Sequence, residues 1–254
     1  MGYNKGRFQM MQAIILCGGQ GTRLRSVIGE TQKTMTMIGN TPFLVNIVNY
    51  LKSYKITNVI FSTGYKSEEV EAFFGKKCFF GVDISYAKET MPLGTAGAIR
   101  NALPQVKYDS VYVLNGDTLF KANLKDLKEN FDNLDADMSI VCKESDNRDR
   151  FGTITLMKST EKKDDRIVLS FDEKVKVDKN KKVDNDLYIN GGIYLLKKDL
   201  IKQIPEGVKV SLEKEMIPKW IDEGKVIGGV VSDADFVDIG TPESLEKYKN
   251  QENQ

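Results

Sequence analysis

The sequence predicts an α/β fold: a mainly parallel, Rossmann-like mixed sheet flanked by helices, with a smaller β-rich lobe. In the first half, apolar runs bounded by turn residues alternate with helical patterns, which is typical of βαβ units. The first apolar run leads directly into a glycine-rich turn at 18–21. After about residue 136 the pattern changes to short strands broken by polar runs, which indicates the lobe.

The elements of the first half follow from hydrophobic periodicity and turn residues. Strands are predicted at about 12–17, 57–63, 83–87 and 110–115, and helices at about 42–54, 66–74, 94–103 and 123–133. The first of these helices follows Thr41 and Pro42, which we expect to act as its N-cap and first-turn residue.

The second half is predicted to carry short strands and to end in two helices. The strands fall at about 137–142, 151–157, 166–171 and 188–196, and the helices at about 211–223 and 241–250. We expect one domain over 11–250, with halves at 11–136 and 137–250. Residues 1–10 are expected to be an extension, because the first strand begins at Gln12.

Composition excludes several classes of function. The chain has 254 residues, 37 basic and 36 acidic, with no concentrated basic tail, so nucleic-acid binding is not favoured. No apolar run approaches the ~18 residues that span a membrane, and no signal peptide is visible, so a cytoplasmic protein is expected. Because histidine is absent, a general base or metal ligand must be a carboxylate or a lysine.

The turn after the first strand has the chemistry of a phosphate cradle. Gly18, Gly19 and Gly21 allow backbone N–H groups to approach an anion, and Arg23 adds a forked cation. A Walker loop would need Lys-Ser/Thr after its glycines, and a dinucleotide fingerprint would need a small residue where Leu24 stands. This loop alone does not exclude the alternative that the turn binds no ligand.

Two acids stand where a parallel sheet binds ligands. Asp117 follows the strand at 110–115, and Asp238 follows a similar pattern near the C-terminus. Two carboxylates with substrate phosphates and waters suit Mg²⁺. An Asp that only caps a turn is the alternative for Asp117, and Asp235 is the local competitor of Asp238.

The ordered motifs of residues 12–250 resemble those of sugar-1-phosphate nucleotidyltransferases, whose fold is similar to that of glycosyltransferases of the A type. The opening motif, the middle motifs and the ending are most similar to the D-glycero-α-D-manno-heptose 1-phosphate guanylyltransferases. The motifs that carry the resemblance are Gly18-Gly-Gln-Gly-Thr-Arg-Leu24 with Lys33, Leu93-Gly-Thr-Ala-Gly97, Asn115-Gly-Asp117, Phe171-Asp-Glu-Lys174, Asn190-Gly-Gly192 and Val237-Asp-Ile-Gly-Thr-Pro242.

The resemblance implies transfer of a nucleotidyl group from a nucleoside triphosphate, GTP in that subfamily, to a sugar 1-phosphate. It implies that Arg23 holds the β- and γ-phosphates, Lys33 neutralises charge near the α-phosphate, and Lys174 orients the sugar phosphate. Asp117 and Asp238 would hold Mg²⁺. Other implied nucleotide contacts are Leu16, Gly18, Gly19, Gly21, Thr22, Leu93, Gly94 and Thr95; the implied sugar-side contacts are Gly116, Gly152, Glu173, Asn190 and Gly191.

The chain departs from the family pattern beside the catalytic lysine. The family usually has proline there, whereas this chain has Gln32. Because proline fixes φ, its loss predicts a more mobile loop, and Gln32→Pro is expected to leave turnover equal or higher. Val175 likewise alters the sugar-side Phe-Glu-Lys-Pro pattern.

Three alternatives stay open at this stage. The substrates could be another nucleoside triphosphate with a hexose 1-phosphate, or the chain could be a noncatalytic nucleotide-sugar-binding homologue, as Gln32 suggests. A glycosyltransferase would bind its metal through an Asp-X-Asp loop, which 135–137 and 233–235 match formally. The resemblance also suggests a homodimer, although no heptad pattern predicts one.

Overall fold

The structure is a computed structural model that describes residues 11–75, 78–144, 152–158, 165–172 and 187–252. Among these residues, no helix is long and apolar enough to cross a membrane.

The strands include every strand that was predicted from the sequence, with bounds shifted by one or two residues. They are β1 (Gln12–Cys17), β2 (Met37–Ile38), β3 (Thr41–Pro42), β4 (Asn58–Thr63), β5 (Cys78–Phe79), β6 (Val82–Lys88), β7 (Ser110–Asn115), β8 (Thr118–Phe120), β9 (Met138–Glu144), β10 (Thr153–Lys158), β11 (Arg166–Asp172), β12 (Leu187–Lys197), β13 (Ile227–Val231) and β14 (Phe236–Asp238).

The helices also follow the predicted order. They are α1 (Arg25–Ile28), α2 (Phe43–Ser53), α3 (Ser67–Phe74), α4 (Gly94–Ala102), α5 (Leu124–Asn133), α6 (Lys198–Ile201), α7 (Ile217–Asp222) and α8 (Pro242–Glu252). Short 3₁₀ turns lie at Thr22–Leu24, Lys33–Met35 and Leu103–Gln105, and one π-helical turn at Leu212–Met216 leads into α7.

The α/β class with a mixed sheet is confirmed. Within the described ranges, ten strands form one sheet in the order β10-β11-β13-β9-β12-β7-β1-β4-β6-β5. The pairs β7–β1, β1–β4, β4–β6 and β13–β9 are parallel, and the other pairs are antiparallel. Strands β9 to β13 of the second half therefore extend the first sheet through the β12–β7 pair, whereas β14 pairs with β8 in a separate two-stranded sheet.

The core lies on both faces of this sheet. Along β1, Ala13 and Ile15 belong to one buried cluster and Ile14 to the other, as expected when successive side chains point to opposite faces. Helix α2 packs on the first face and the fully buried Trp220 of α7 on the second. Burial on both faces explains why the parallel strands are near-continuous apolar runs.

The predicted N-cap of the first long helix was wrong. Thr41 lies in the two-residue strand β3, opposite Ile38, and Pro42 precedes α2 without a side-chain cap. The backbone N–H of Phe43 donates instead to the carbonyl of Thr36 at 2.9 Å. A tertiary contact thus takes the place of the local cap.

Candidate active site

A cleft of about 690 Å³ opens at the carboxyl ends of the parallel strands. Strands β1 and β7 are parallel neighbours, with Leu16 opposite Asn115, so the segments that follow them leave the sheet side by side. This is where open α/β sheets bind ligands. A second cavity, of about 480 Å³, adjoins the first, and Gly19, Lys33 and Asp117 line both.

The glycine turn forms one wall of the cleft. Gly21 has φ of 58°, which a larger residue rarely adopts, and its carbonyl accepts from the N–H of Leu24 at 2.9 Å. Thr22 and Arg23 follow in the short 3₁₀ turn and line the second cavity, with Arg23 exposed. The turn therefore points a forked cation toward the space that the sequence assigned to phosphates.

Lys33 and Asp117 meet across the cleft. Their Nζ and Oδ2 atoms are 2.5 Å apart, and the lysine side chain is only 13% exposed. Lys33 lies in the 3₁₀ turn Lys33–Met35, and its stem passes close to Gly21: a Cβ on that glycine would lie 3.1 Å from the lysine Cβ. The ion pair holds the lysine ammonium at the carboxyl end of β7.

Asp117 and Asp238 line the same cavity. Strand β14 pairs with β8, which sets Asp238 opposite Thr118, and the N–H of Ile239 donates to the carbonyl of Asp117 at 3.0 Å. The competing Asp235 lies in an ion pair with Lys121 and does not line the cleft. No cluster of three or more possible metal ligands occurs within the described ranges. Two carboxylates fit Mg²⁺, which takes its other ligands from phosphates and water.

Gln32, which stands where the family has proline, is buried and hydrogen-bonded at both ends of its side chain. Its side chain is buried, and its Oε1 accepts from Thr34 N at 2.6 Å, Thr34 Oγ1 at 2.6 Å and Met35 N at 3.2 Å. Its Nε2 donates to the carbonyl of Cys17 at 2.5 Å. The amide side chain thus caps the lysine turn and ties it to the end of β1.

Glu89 is a cleft residue that the sequence argument missed. It follows β6 and lines the larger cavity, and its Oε2 accepts from the N–H of Leu93 at 3.0 Å. Its Oε1 lies against Gly18, where an added Cβ would be 2.6 Å away. Partial burial raises the pKa of this carboxyl, and the bond from Leu93 opposes that effect. An acid directly after a parallel strand was the available signal.

The remaining predicted nucleotide contacts lie in or near the cavity that Glu89 lines. Leu16, Gly94 and Thr95 line the larger cavity, whereas Leu93 is buried beneath it. Gly94 opens α4 with φ of 70°, and an added Cβ there would lie 2.5 Å from the carbonyl of Val210. The tight approach explains a glycine at this helix start.

A hydrogen-bond chain starts at Asn190, one of the predicted sugar contacts; we call the part of the cleft that it lines the sugar side. Asn190 Nδ2 donates to Tyr194 Oη at 2.6 Å, Tyr194 donates to Glu213 Oε1 at 3.2 Å, and Thr95 Oγ1 donates to Glu213 Oε2 at 2.6 Å. Asn190, Glu213 and Thr95 line the second cavity with Gly152. Glu213 and Tyr194 were not predicted from the sequence, because no local motif marks them.

Three predicted glycine contacts have packing roles in the structure. An added Cβ on Gly191 would meet the ring of Phe120, so this residue faces the core, and Gly192 lines the cavity instead. A Cβ on Gly116 would lie 2.5 Å from the carbonyl of Leu16, and one on Gly152 would strike the ring of Phe171. The predicted Glu173 and Lys174, and Val175 beside them, lie outside the described residues.

The two Asp-X-Asp matches do not line the cleft. Asp135 forms an exposed ion pair with Lys197, and Asp137 accepts from the N–H of Val226 at 3.1 Å. Asp235 pairs with Lys121, as described above. These contacts account for the acids as local structural groups, so the Asp-X-Asp argument for a glycosyltransferase has no support in the described residues.

Comparison with known proteins identifies the family. A family model described as "Nucleotidyl transferase" matches residues 12–254. The chain belongs to this family. It is 37% identical over 241 residues to the D-glycero-alpha-D-manno-heptose 1-phosphate guanylyltransferase of Aneurinibacillus thermoaerophilus, covering 95% of this chain and 98% of that protein. The Campylobacter jejuni protein of the same name is 40% identical over 233 residues, covering 92% and 96%.

A solved relative has the same fold. The structure of HddC from Yersinia pseudotuberculosis complexed with GMP-PN superposes with a TM-score of 0.77 at 32% identity, covering 95% of this chain and 99% of that one. The resemblance inferred from the ordered motifs is therefore confirmed at the level of the family and of its heptose-phosphate relatives.

Proposed function

We propose that this chain is a magnesium-dependent enzyme that transfers GMP from GTP to a sugar 1-phosphate, D-glycero-α-D-manno-heptose 1-phosphate, and releases pyrophosphate. The observation that carries the proposal is the convergence of the glycine turn, Lys33, Asp117 and Asp238 on one cleft. The names of the full-length relatives support the choice of substrates.

The reaction needs alignment and charge neutralisation, not a covalent nucleophile. An oxygen of the sugar phosphate attacks the α-phosphorus, and the bond from that phosphorus to the bridging oxygen breaks, so pyrophosphate leaves with the electron pair. Lys33 would stabilise the charge on the α-phosphate, and Arg23 would hold the phosphates that leave. Neither role requires a histidine, which the chain lacks.

Asp117 and Asp238 would hold Mg²⁺. The ion supplies charge neutralisation for the nucleotide and attacking phosphate oxygens. In the structure Asp117 binds the ammonium of Lys33, so this carboxylate is shared between the lysine and the proposed metal site. Asp117 would therefore set the positive charge of Lys33 beside that of the bound metal.

Glu89 supports GTP as the nucleotide. The Watson–Crick edge of guanine presents two adjacent donors, N1–H and the N2 amino group, which suit a carboxylate acceptor. Uracil and thymine present one such donor, and adenine and cytosine present an acceptor at the corresponding ring nitrogen. A half-buried carboxylate that is already held by Leu93 would select for guanine, because a base without the paired donors leaves it unsatisfied.

The experiment is a pyrophosphate-release assay with five nucleoside triphosphates crossed with hexose and heptose 1-phosphates, with and without Mg²⁺. We expect release with GTP and the manno-heptose 1-phosphate, and loss of release when the metal is chelated. Selectivity for another pair would keep the reaction and replace the substrates. Nucleotide binding without release for any pair would favour a noncatalytic homologue.

A further inference from the structure

Gln32 is buried beside the lysine turn and uses both ends of its side chain. Gln32 is only 1% exposed, and its backbone N–H donates to Glu69 Oε2 at 2.9 Å. A buried amide with all of these partners is costly to remove, because each partner then loses its hydrogen bond in a place that water does not reach.

The contacts of Gln32 join three segments of the nucleotide side. Its Nε2 binds the carbonyl of Cys17, the residue directly before Gly18; its Oε1 caps the turn that carries Lys33; and its N–H binds Glu69 of α3. The strand end, the lysine turn and α3 are therefore fixed to one another at a single residue.

The backbone of Gln32 has the φ angle that proline would impose. Its φ is −60°, within the range that the pyrrolidine ring fixes, and its ψ of 128° is extended. Proline at this position could reproduce the backbone angle, but it has no N–H for Glu69 and no amide for Cys17 or Thr34. The glutamine holds the same geometry through side-chain bonds.

We infer that Gln32 is a positioning residue for Lys33: its side chain supplies the preorganisation of the lysine turn. This inference rests on the proposed function for its kinetic consequence, but its structural consequence can be measured without substrate. It also reverses the expectation from the sequence, because Gln32→Pro should lower turnover and not leave it equal or higher.

Three variants remove different hydrogen-bonding groups of Gln32. Gln32→Ala removes the whole amide, Gln32→Glu keeps the acceptor for Thr34 but replaces the donor to Cys17, and Gln32→Pro also removes the backbone N–H. We expect kcat to fall by about 10-fold or more in each, with KM for GTP changed by less than about 3-fold, since a displaced lysine weakens transition-state contacts most. Gln203→Ala, at an exposed position, is the matched control.

A double-mutant cycle distinguishes positioning from general stability. If Gln32 acts through Lys33, then Gln32→Ala should cost less than about 2-fold in a Lys33→Met background, because the group it positions is already absent. The same factor in both backgrounds would show that the two residues act independently and would overturn the inference.

Amide hydrogen exchange tests the structural part without substrate. The N–H of Thr34 donates to Gln32 Oε1, so its protection should fall by about 10-fold or more in Gln32→Ala while the protection of β1 stays within about 2-fold. Unchanged protection at Thr34 would overturn the inference, whatever the kinetics. Lost protection in a chain that turns over no substrate pair would reject the proposed function and keep the role of Gln32 in fixing the turn.

Discussion

The two sides of the cleft are built in different ways. On the nucleotide side, short turns lie directly after parallel strands, and Gln32 and Glu89 bind backbone groups of neighbouring segments. On the sugar side, the chain from Asn190 through Tyr194 and Glu213 to Thr95 connects elements that are distant in sequence. The first arrangement would place phosphates through backbone geometry, whereas the second consists of side-chain hydroxyl, amide and carboxylate groups.

This difference implies that the two sides respond differently to single substitutions. Changes on the nucleotide side should act on turnover or on the choice of base, because few groups carry the charge that the reaction needs. Changes on the sugar side should act on KM for the sugar phosphate, because one lost bond reorients its neighbours in the chain. Thr95 lines both cavities, as Gly19, Lys33 and Asp117 also do, and it ends the hydrogen-bond chain from Asn190.

The largest effect is expected at Lys33. Lys33→Met removes the ammonium near the α-phosphate, and kcat should fall by about 100- to 1,000-fold, the range for losing one preorganised transition-state donor. Steady-state pyrophosphate release measures it. Lys52→Met, which removes an exposed lysine that binds the carbonyl of Phe80, is the control and should stay within about 2-fold. A Lys33→Met enzyme with full turnover would remove this residue from the mechanism.

Replacing Glu89 should alter the choice of base. Glu89→Gln keeps the size of the side chain but replaces one acceptor oxygen with a donor, so kcat/KM for GTP should fall by about 10- to 100-fold. The kcat/KM values for the other nucleoside triphosphates should change less, so the ratio that favours GTP becomes smaller. Competition between nucleotides measures this preference, with Glu68→Gln on the exposed face of α3 as the control. An unchanged preference would place base selection elsewhere in the cleft.

A substitution on the sugar side should affect binding of the sugar phosphate without affecting binding of GTP. Tyr194→Phe removes only the hydroxyl that links Asn190 to Glu213, and KM for the sugar phosphate should rise by about 10-fold. KM for GTP should change by less than about 2-fold. The control is Tyr50→Phe, which deletes an equivalent hydroxyl bonded to the carbonyl of Ala122 outside the cleft. Equal shifts in both KM values would show that the two sides are not separable.

The smallest effect concerns pH. Because burial raises the pKa of Glu89, this carboxyl protonates at a higher pH than usual, and GTP affinity should weaken by a few-fold as pH falls through that raised pKa. Folding stability changes in the opposite direction. The folded state holds the proton more tightly than the unfolded state, so this contribution is present at low pH and is lost as pH rises through the folded pKa.

Titration calorimetry and thermal unfolding of the wild type and Glu89→Gln measure both trends. Any pH dependence of GTP affinity or of stability that the wild type shows and Glu89→Gln lacks is due to the carboxyl of Glu89. A wild type and a variant with parallel pH profiles would show that the carboxyl does not change protonation on binding GTP.

The strands and the phosphate-side residues were readable from sequence because their signals are local. An apolar run followed by glycines gave β1 and its turn, and Asn115-Gly-Asp117 marked the end of β7. The insertion of β13 between β11 and β9 was not readable, since it depends on pairing between distant segments. The hydrogen bonds of Gln32 were not readable either, because the sequence shows a missing proline but not the partners of a buried amide. Gly192 lines the cavity, whereas Gly191 faces the ring of Phe120. The sequence motif does not show which of the two glycines faces the cavity.

The most direct test of the account follows phosphorus through the reaction by ³¹P NMR with GTP, manno-heptose 1-phosphate, Mg²⁺ and the purified chain. We expect the α-phosphorus of GTP and the sugar phosphorus to appear together in a new diphosphate, while the β- and γ-phosphorus appear as pyrophosphate in equal amount. Lys33→Met should give the same products more slowly. Release of orthophosphate without a sugar diphosphate, or bound GTP that never reacts with any sugar phosphate, would contradict it.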